Sequence, residues 1–320
     1  MAIGSFWVPR NQKNNMKVNF IGNKNIAFFV SGLLFVLAVL SIVTYGFKLG
    51  MDFTGGSSLN VSFTSSVPSV TDMRDKVRSL GFEEAMVQTV GTDALLLKTR
   101  FLTETEHQQL LADVRAGYEN DNNKVLEQSF ETIGPAVSQT LKQRTMWAVV
   151  LVVLSHVLYI AYAFRKISRP VKSWKYGVVA ELAMVHDVII TAGVFAFLGH
   201  YFGVEIDIPF IVALLLVFGY SVNDTIVVFD RVRENLIRHS SDDFGGTINN
   251  AINETFARSI NTTLTTFITL LALFLFGGIT IKYFALALLI GVFLGAYSSI
   301  FVASPLLVIW HNWKMKKRTA

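Results

Sequence analysis

The sequence predicts an α-helical membrane protein in which six transmembrane helices form one bundle and carry one small α+β external domain. Hydrophobic residues make up 52% of the chain and charged residues only 16%, against about 25% charged in soluble domains. The mean hydropathy is +0.47. Six apolar runs are long enough to cross about 30 Å of hydrocarbon, and they lie at residues 26–45, 146–164, 176–199, 208–229, 258–278 and 283–310.

The first apolar run is too long for the core of a signal peptide and lacks an obvious small-residue cleavage site. We therefore expect it to be retained as the first membrane span. The sequence contains no cysteine, which excludes disulfides and thiolate metal sites.

A single hydrophilic block, residues 46–145, separates the first two spans and is predicted to fold as the external domain. Two predicted helices, 69–80 and 103–118, each begin with a hydroxyl residue and an acid three positions later, as in a capping box. Four predicted strands lie at 57–63, 85–90, 94–100 and 124–133. The order βαββαβ predicts a ferredoxin-like sandwich. His107, alone on a polar helix, is expected to be solvated.

Basic residues predict the orientation of the chain. They occur without acids before the first span, between the second and third spans and after the sixth. The positive-inside rule then places both termini in the cytoplasm. This assigns residues 1–25 and the loop 230–257 to the cytoplasm, 311–320 to a basic cytoplasmic tail, and 46–145 to the outside, in the setting of a bacterial inner membrane.

The stretch GYSVNDTIVVFDRVREN, residues 219–235, ends the fourth span and places Asp224 inside the membrane with Asn223 beside it. An ionisable side chain in hydrocarbon costs several kcal/mol unless it is paired, hydrated or protonated, so Asp224 is a candidate functional site. Arg258 begins the fifth span at a comparable depth, so an ion pair with Asp224 is geometrically allowed. A nearby cation lowers the pKa of a carboxyl group and desolvation raises it. A carboxylate held between these two effects is suited to proton coupling.

Further polar residues lie in the spans. Thr262, Thr265, Thr266 and Thr269 follow Arg258 at helical spacing and either line a hydrated path or bond back to their own helix. Asp187 lies mid-way along the third span as a second relay group or a structural partner. Its neighbour His186 is expected to hydrogen-bond within the bundle, with a proton-relay role as the alternative.

Asp52-Phe53-Thr54-Gly55-Gly56 follows the first span. Gly55 and Gly56 let the backbone turn sharply or approach closely, so we interpret Asp52, Gly55 and Gly56 as a junction between membrane and external domain. No lysine and Ser/Thr follow, which argues against a phosphate loop.

The DFTGG element, His186-Asp187 within the third span and the long fourth-span motif resemble the SecF family, the smaller subunits of SecDF protein-export complexes. The resemblance covers nearly the whole chain and implies an RND-like bundle. It further implies work with SecD, the SecYEG channel, possibly YidC, and unfolded preprotein, driven by the proton-motive force without a cofactor. Asp224 matches the family's proton-conducting aspartate, and Arg258 matches the arginine thought to pair with it. We also expect contact with membrane lipid and no nucleic-acid partner.

Three alternatives remain open at this level. An RND-type exporter of lipids or small molecules usually carries twelve spans and two large external domains. An intramembrane aspartyl protease needs two carboxylates, here Asp187 and Asp224, close enough to share a proton. In a structural scaffold, Asp224 and Arg258 only lock two helices together. We expect no covalent catalysis.

Overall fold

The computed structural model describes residues 18–163, 172–238 and 243–319. In chain order its elements are α1 (Lys24–Tyr45), α2 (Met51–Thr54), β1 (Gly56–Phe63), α3 (Val70–Ser79), β2 (Met86–Val90), β3 (Ala94–Thr99), α4 (Glu104–Tyr118), β4 (Val125–Ile133), α5 (Pro135–Ala163), α6 (Ser173–Phe202), α7 (Ile208–Arg238), α8 (Phe244–Phe276), α9 (Ile279–Ser298) and α10 (Ser304–Thr319). A π-helical turn, Ser299–Ala303, joins α9 to α10 without a break.

Within the described residues, six helical segments are long and apolar enough to cross a membrane, which confirms the six predicted spans. They are α1, α5, α6, α7, α8 and the continuous α9–α10 unit. The chain is therefore a multi-pass membrane protein. The third, fourth and sixth spans bury the largest share of their surface inside the chain.

Four helical spans extend beyond their predictions, the sixth of them through α10 to Thr319, because apolar runs indicate only the part of a helix that meets hydrocarbon. The second span begins at Pro135 rather than at 146, so it continues directly from the last strand. The predicted loop 230–257 is wrong over its described residues: α7 continues to Arg238 and α8 begins at Phe244. Polar residues continue both helices here, because their side chains form ion pairs across the helix surfaces.

One of those ion-pair clusters joins the extensions of α7 and α8. Arg231 contacts both Glu234 and Glu254, the latter at 2.5 Å, and Arg238 contacts Glu234 at 2.7 Å. These ion pairs connect the extension of α7 to that of α8.

The external domain is a four-stranded antiparallel sheet of order β2-β3-β1-β4 with α3 and α4 packed on it. Both predicted helix starts are confirmed. Ser69 accepts a hydrogen bond from the Asp72 N–H, and Thr103 and Glu106 form a reciprocal capping box. The buried core includes Leu59, Val61, Leu95, Leu97 and Val114.

His107 is not solvated, and that prediction was wrong. Only 3% of its surface is exposed. Its ring stacks on Phe130 with centroids 3.7 Å apart, and its nitrogens lie 3.3 Å from Glu104 and 3.2 Å from Glu127. The last strand supplies both Phe130 and Glu127, so the surrounding of this histidine is made by residues distant in sequence.

The segment before α1 is clasped by two asparagines of α8. The Val18 N–H donates to Asn253 Oδ1 at 3.0 Å, and its carbonyl accepts from Asn249 and Asn253 at 3.1 and 2.9 Å. Phe20 follows and is buried against Phe256 and other core residues. The basic residues preceding Val18, and those of the connection 164–171, lie outside the described residues.

Candidate functional site

Asp224 lies within α7, in the second half of the apolar run 208–229, and only 4% of its surface is exposed. Its Oδ2 accepts a hydrogen bond from Thr263 Oγ1 of α8 at 3.3 Å. The predicted threonines were Thr262 and Thr266. Thr262 is exposed, and Thr266 accepts a hydrogen bond from Tyr220 of α7 at 3.4 Å. Sequence spacing alone did not show which threonine of the run contacts Asp224.

Arg258 does not form an ion pair with Asp224 among the described residues. Its side chain is exposed. Asn223, predicted to support the site, is exposed on a different side of α7 from the buried Asp224.

The threonine stripe of α8 bonds mainly to its own helix. Thr262 donates to the Arg258 carbonyl at 2.8 Å, and Thr265 and Thr266 donate to the Thr262 carbonyl at 2.8 and 3.2 Å. Thr262 and Thr265 are exposed. Thr262 and Thr265 therefore face outward from this chain, whereas Thr266 is partly buried and faces Tyr220 of α7.

Asp187 forms a second polar centre and is fully buried. Its Oδ2 accepts hydrogen bonds from Ser221 of α7 at 2.7 Å and from Ser298 of α9 at 2.6 Å. Its Oδ1 lies 3.0 Å from His186 Nδ1. The hydrogen bond expected of His186 within the bundle is thus confirmed, and its partner is the adjacent aspartate.

Two glycines of α9 allow this centre to form. A Cβ on Gly295 would lie 2.9 Å from the Ser221 Cα, and one on Gly291 would collide with Val217. Because real Cβ atoms do not approach so closely, only glycine permits this contact between α9 and α7. Next to it, Ser299 and Thr225 hydroxyls are 2.8 Å apart.

Asp187 and Asp224 use separate partners, and among the described residues no hydrogen bond joins them. They do not form the proton-sharing pair that aspartyl proteolysis requires. The described residues also contain no group of three or more His, Asp or Glu side chains able to hold a metal ion.

The junction after the first span has a defined architecture. Gly55 and Gly56 adopt φ values of 74° and 136°, which other residues rarely adopt. A Cβ on Gly56 would also lie 2.7 Å from the Thr99 carbonyl oxygen. The short helix α2, which the sequence did not suggest, precedes them and carries Asp52.

Asp52 caps the fourth span. Its Oδ2 accepts the Ile208 N–H at 2.8 Å, while Asp207 Oδ1 accepts the Phe210 N–H at 2.9 Å. The residue between them is Pro209, which has no N–H. Since Ile211 N–H bonds the Asp207 carbonyl, each of the first four positions of α7 is satisfied. Burial raises the pKa of Asp207. The hydrogen bond from the Phe210 N–H opposes this shift, because it favours the charged form.

The external domain and the residues before α2 both contact the loop between α6 and α7. Lys98 of β3 contacts Glu205 at 2.6 Å, and Lys48 reaches the same carboxylate at 3.7 Å. The Gly50 N–H donates to the Ile206 carbonyl and the Ile206 N–H to the Lys48 carbonyl, each at 2.7 Å. An open groove of about 570 Å³ lies between this junction and the sheet.

Together, the fold and these buried carboxylates define a polytopic membrane protein of the transport class, with charged groups held inside a helical bundle. A family model described as "Protein export membrane protein SecD/SecF, C-terminal" matches residues 114–313. A second, described as "SecD/SecF GG Motif", matches residues 40–67, which contain the junction. The chain belongs to the SecD/SecF family of protein-export membrane proteins.

Curated relatives and a solved structure agree. The chain is 41% identical to "Protein translocase subunit SecF" of Thermobaculum terrenum, over 89% of this chain and 92% of the relative. For the protein of the same name in Anaerolinea thermophila, identity is 37% over 92% of this chain and 94% of the relative. The crystal structure of SecDF, a translocon-associated membrane protein from Thermus thermophilus, is similar with a TM-score of 0.80 and 35% identity. That match covers 93% of this chain and 39% of the SecDF chain, so this chain spans about two fifths of its length.

Proposed function

We propose that this accessory subunit of the Sec preprotein translocase couples proton movement to late steps of export, and that Asp224 carries the coupling proton. The observation that supports this is the burial of the Asp224 carboxyl group within the fourth span against a neutral partner, Thr263. A permanently ionised carboxylate would require a direct cation or several donors at such a site. A group that binds and releases a proton is favoured there instead.

Arg258 supplies the second element of the proposal. It lies on α8, the helix whose Thr263 bonds Asp224, so a small shift of α8 relative to α7 would change the distance between its charge and the carboxyl group. A nearer cation favours the ionised form and a more distant one the protonated form. Such a shift would alternately release and bind the proton. One proton crossing the membrane supplies about 2.3 kcal/mol per 100 mV.

The exposed polar face of α8 supports a membrane partner. Thr262, Thr265 and Arg258 face outward at membrane depth, where contact with lipid is unfavourable. We assign this face to SecD, since the solved SecDF chain is far longer than the part this chain matches. A proton path along Thr262 and Thr266 would then follow the boundary between the two subunits.

The remaining assignments follow from the family and the charge pattern. We assign the subunit to the bacterial inner membrane, with cytoplasmic termini and a periplasmic external domain. The order βαββαβ and the antiparallel sheet support placing that domain among ferredoxin-like folds. SecYEG, YidC and unfolded preprotein are its proposed partners, with the proton gradient as energy source and no cofactor.

The decisive experiment measures preprotein export in inverted membrane vesicles that contain SecD, the channel and either wild-type or Asp224→Asn subunit at equal levels. Asparagine keeps the shape and an acceptor for Thr263 but cannot titrate. We expect export without a gradient to be unchanged and the gradient-stimulated part to be lost.

Thr263→Val serves as the matched control, since it removes the hydrogen bond and leaves the titratable group. It should retain a gradient response. An unchanged gradient response in Asp224→Asn would refute proton coupling at this residue and leave the scaffold alternative.

A further inference from the structure

We propose that Asp187 is a second proton-binding site of the bundle, held in position by His186 and connected to the sixth span through Ser298. The proposal extends the proposed function, because it gives the coupling proton a second binding site outside the Asp224 site. It rests on the geometry of the Asp187 centre, which the Asp224 site does not use.

The Asp187 carboxyl group is enclosed by three helices. Ser221 and Ser298 both donate to Oδ2, at 2.7 and 2.6 Å, and the His186 Nδ1–H donates to Oδ1 at 3.0 Å. Phe35 of α1 covers the imidazole, with ring centroids 6.0 Å apart. The three donors favour the ionised form of this carboxyl group, while its complete burial favours the protonated form. The centre is therefore built to accommodate a negative charge without a permanent cation.

The same centre can accept a proton with little rearrangement. Ser298 Oγ lies 3.3 Å from the Gly295 carbonyl oxygen, a second acceptor within reach. When a proton occupies Oδ2, one of the two serine hydroxyls must turn from donor to acceptor, and Ser298 can then donate to Gly295 instead. Protonation at Asp187 thus changes a hydrogen bond at the start of the π-helical turn. Turns of this kind are common at functional sites.

His186 directs that proton to the aspartate. Its Nε2 is buried and has no hydrogen-bond partner among the described residues. An imidazolium would bury this N–H without an acceptor, which is unfavourable, so the neutral ring with its proton on Nδ1 is the form that fits. His186 is the titratable group in contact with Asp187. The facing groups from α7 and α9 are serine hydroxyls.

The location of Asp187 links it to Asp224. Ser221 precedes Asp224 by three residues on α7, and residues so spaced are neighbours on one helix face. Since α7 begins at the external end of the span, Ser221 lies on the external side of Asp224. A proton held by Asp187 is one hydrogen bond from the helix that carries Asp224 and on the side from which it would arrive.

The test is infrared difference spectroscopy of the full-length subunit in lipid nanodiscs during a pH titration. We expect wild type to show a carboxyl signal that is lost in Asp187→Asn and retained in Asp224→Asn. Ser298→Ala should shift that signal, because it removes a donor to Oδ2. The matched control is Ser299→Ala, which removes an adjacent buried hydroxyl that bonds Thr225 and the Gly295 carbonyl but not Asp187, and it should leave the signal in place.

Identical titrations in wild type and Asp187→Asn would overturn the proposal. If Asp187→Asn does not fold, the serine pair decides, and equal spectra for Ser298→Ala and Ser299→Ala refute the site. The result is independent of the export experiment. A titrating Asp187 together with normal gradient-stimulated export in Asp224→Asn would disprove the proposed function and leave the proton-binding site standing.

Discussion

Replacing Asp52 by alanine tests whether the junction holds the external end of the fourth span. The substitution leaves the Ile208 N–H without its acceptor, now 2.8 Å away. A buried donor left unsatisfied costs about 1–3 kcal/mol. Because both residues are only partly buried, we expect the lower half of that range, about 1–2 kcal/mol. A further few tenths come from the lost carboxylate at the helix N-terminus.

This free energy should appear as local opening of the first turn of α7. About 1.4 kcal/mol corresponds to a factor of ten in an equilibrium constant, so amide protection at residues 208–212 should fall roughly tenfold. Hydrogen–deuterium exchange with mass spectrometry, on subunits in nanodiscs, measures it directly. Asp52→Asn keeps an acceptor oxygen and should lose much less protection. Equal protection in wild type and Asp52→Ala would show that the cap does not stabilise the helix end, and would refute the reasoning.

Two further predictions concern the bundle and the external domain. Gly295→Ala should destabilise the detergent-solubilised subunit by about 1–3 kcal/mol, because its Cβ would press on Ser221. Gly219→Ala on α7 places its Cβ in open space and should stabilise the subunit by up to about 1 kcal/mol. Thermal unfolding compares the two variants, and equal melting temperatures would contradict the close contact between Gly295 and Ser221. In the external domain, hydrogen bonds from the Arg100 guanidinium and the Thr103 N–H lower the pKa of Glu106 to about 2. Its contribution is present above the ordinary pKa of about 4.3 and disappears as the pH falls towards 2. Glu106→Gln should therefore flatten the acid-induced loss of stability, and an unaltered pH profile would argue against the pair.

The sequence predicted much of this fold because its strongest signals are local. Apolar length located the six spans, and the spacing of Thr103 and Glu106 located a helix start to the residue. The same signals stopped at the membrane surface. Nothing in hydropathy indicates that α7 and α8 continue into charged sequence, because ion pairs between the two helices stabilise those extensions.

The candidate site was predicted less completely than the fold. Asp224 and Asp187 could be identified as buried carboxyl groups, since an acid inside an apolar run is visible in the sequence. Their partners could not. Thr263, Ser221 and Ser298 lie 39, 34 and 111 residues from the acids they contact, and their selection depends on helix rotation and on which helices are neighbours.

Because Val18 is held by hydrogen bonds from two asparagines of α8, the segment before α1 can reach its final position only late in synthesis. Val18 leaves the ribosome before the first span, but Asn253, its partner across 235 residues, follows only after the first four spans have been made. Since synthesis adds about 5–20 residues per second, the segment waits on the order of ten seconds or more for its binding site. Docking of this segment therefore reports that the fifth span has been inserted and has joined the bundle. A protease that cleaves near Val18 would distinguish newly made chains from mature ones.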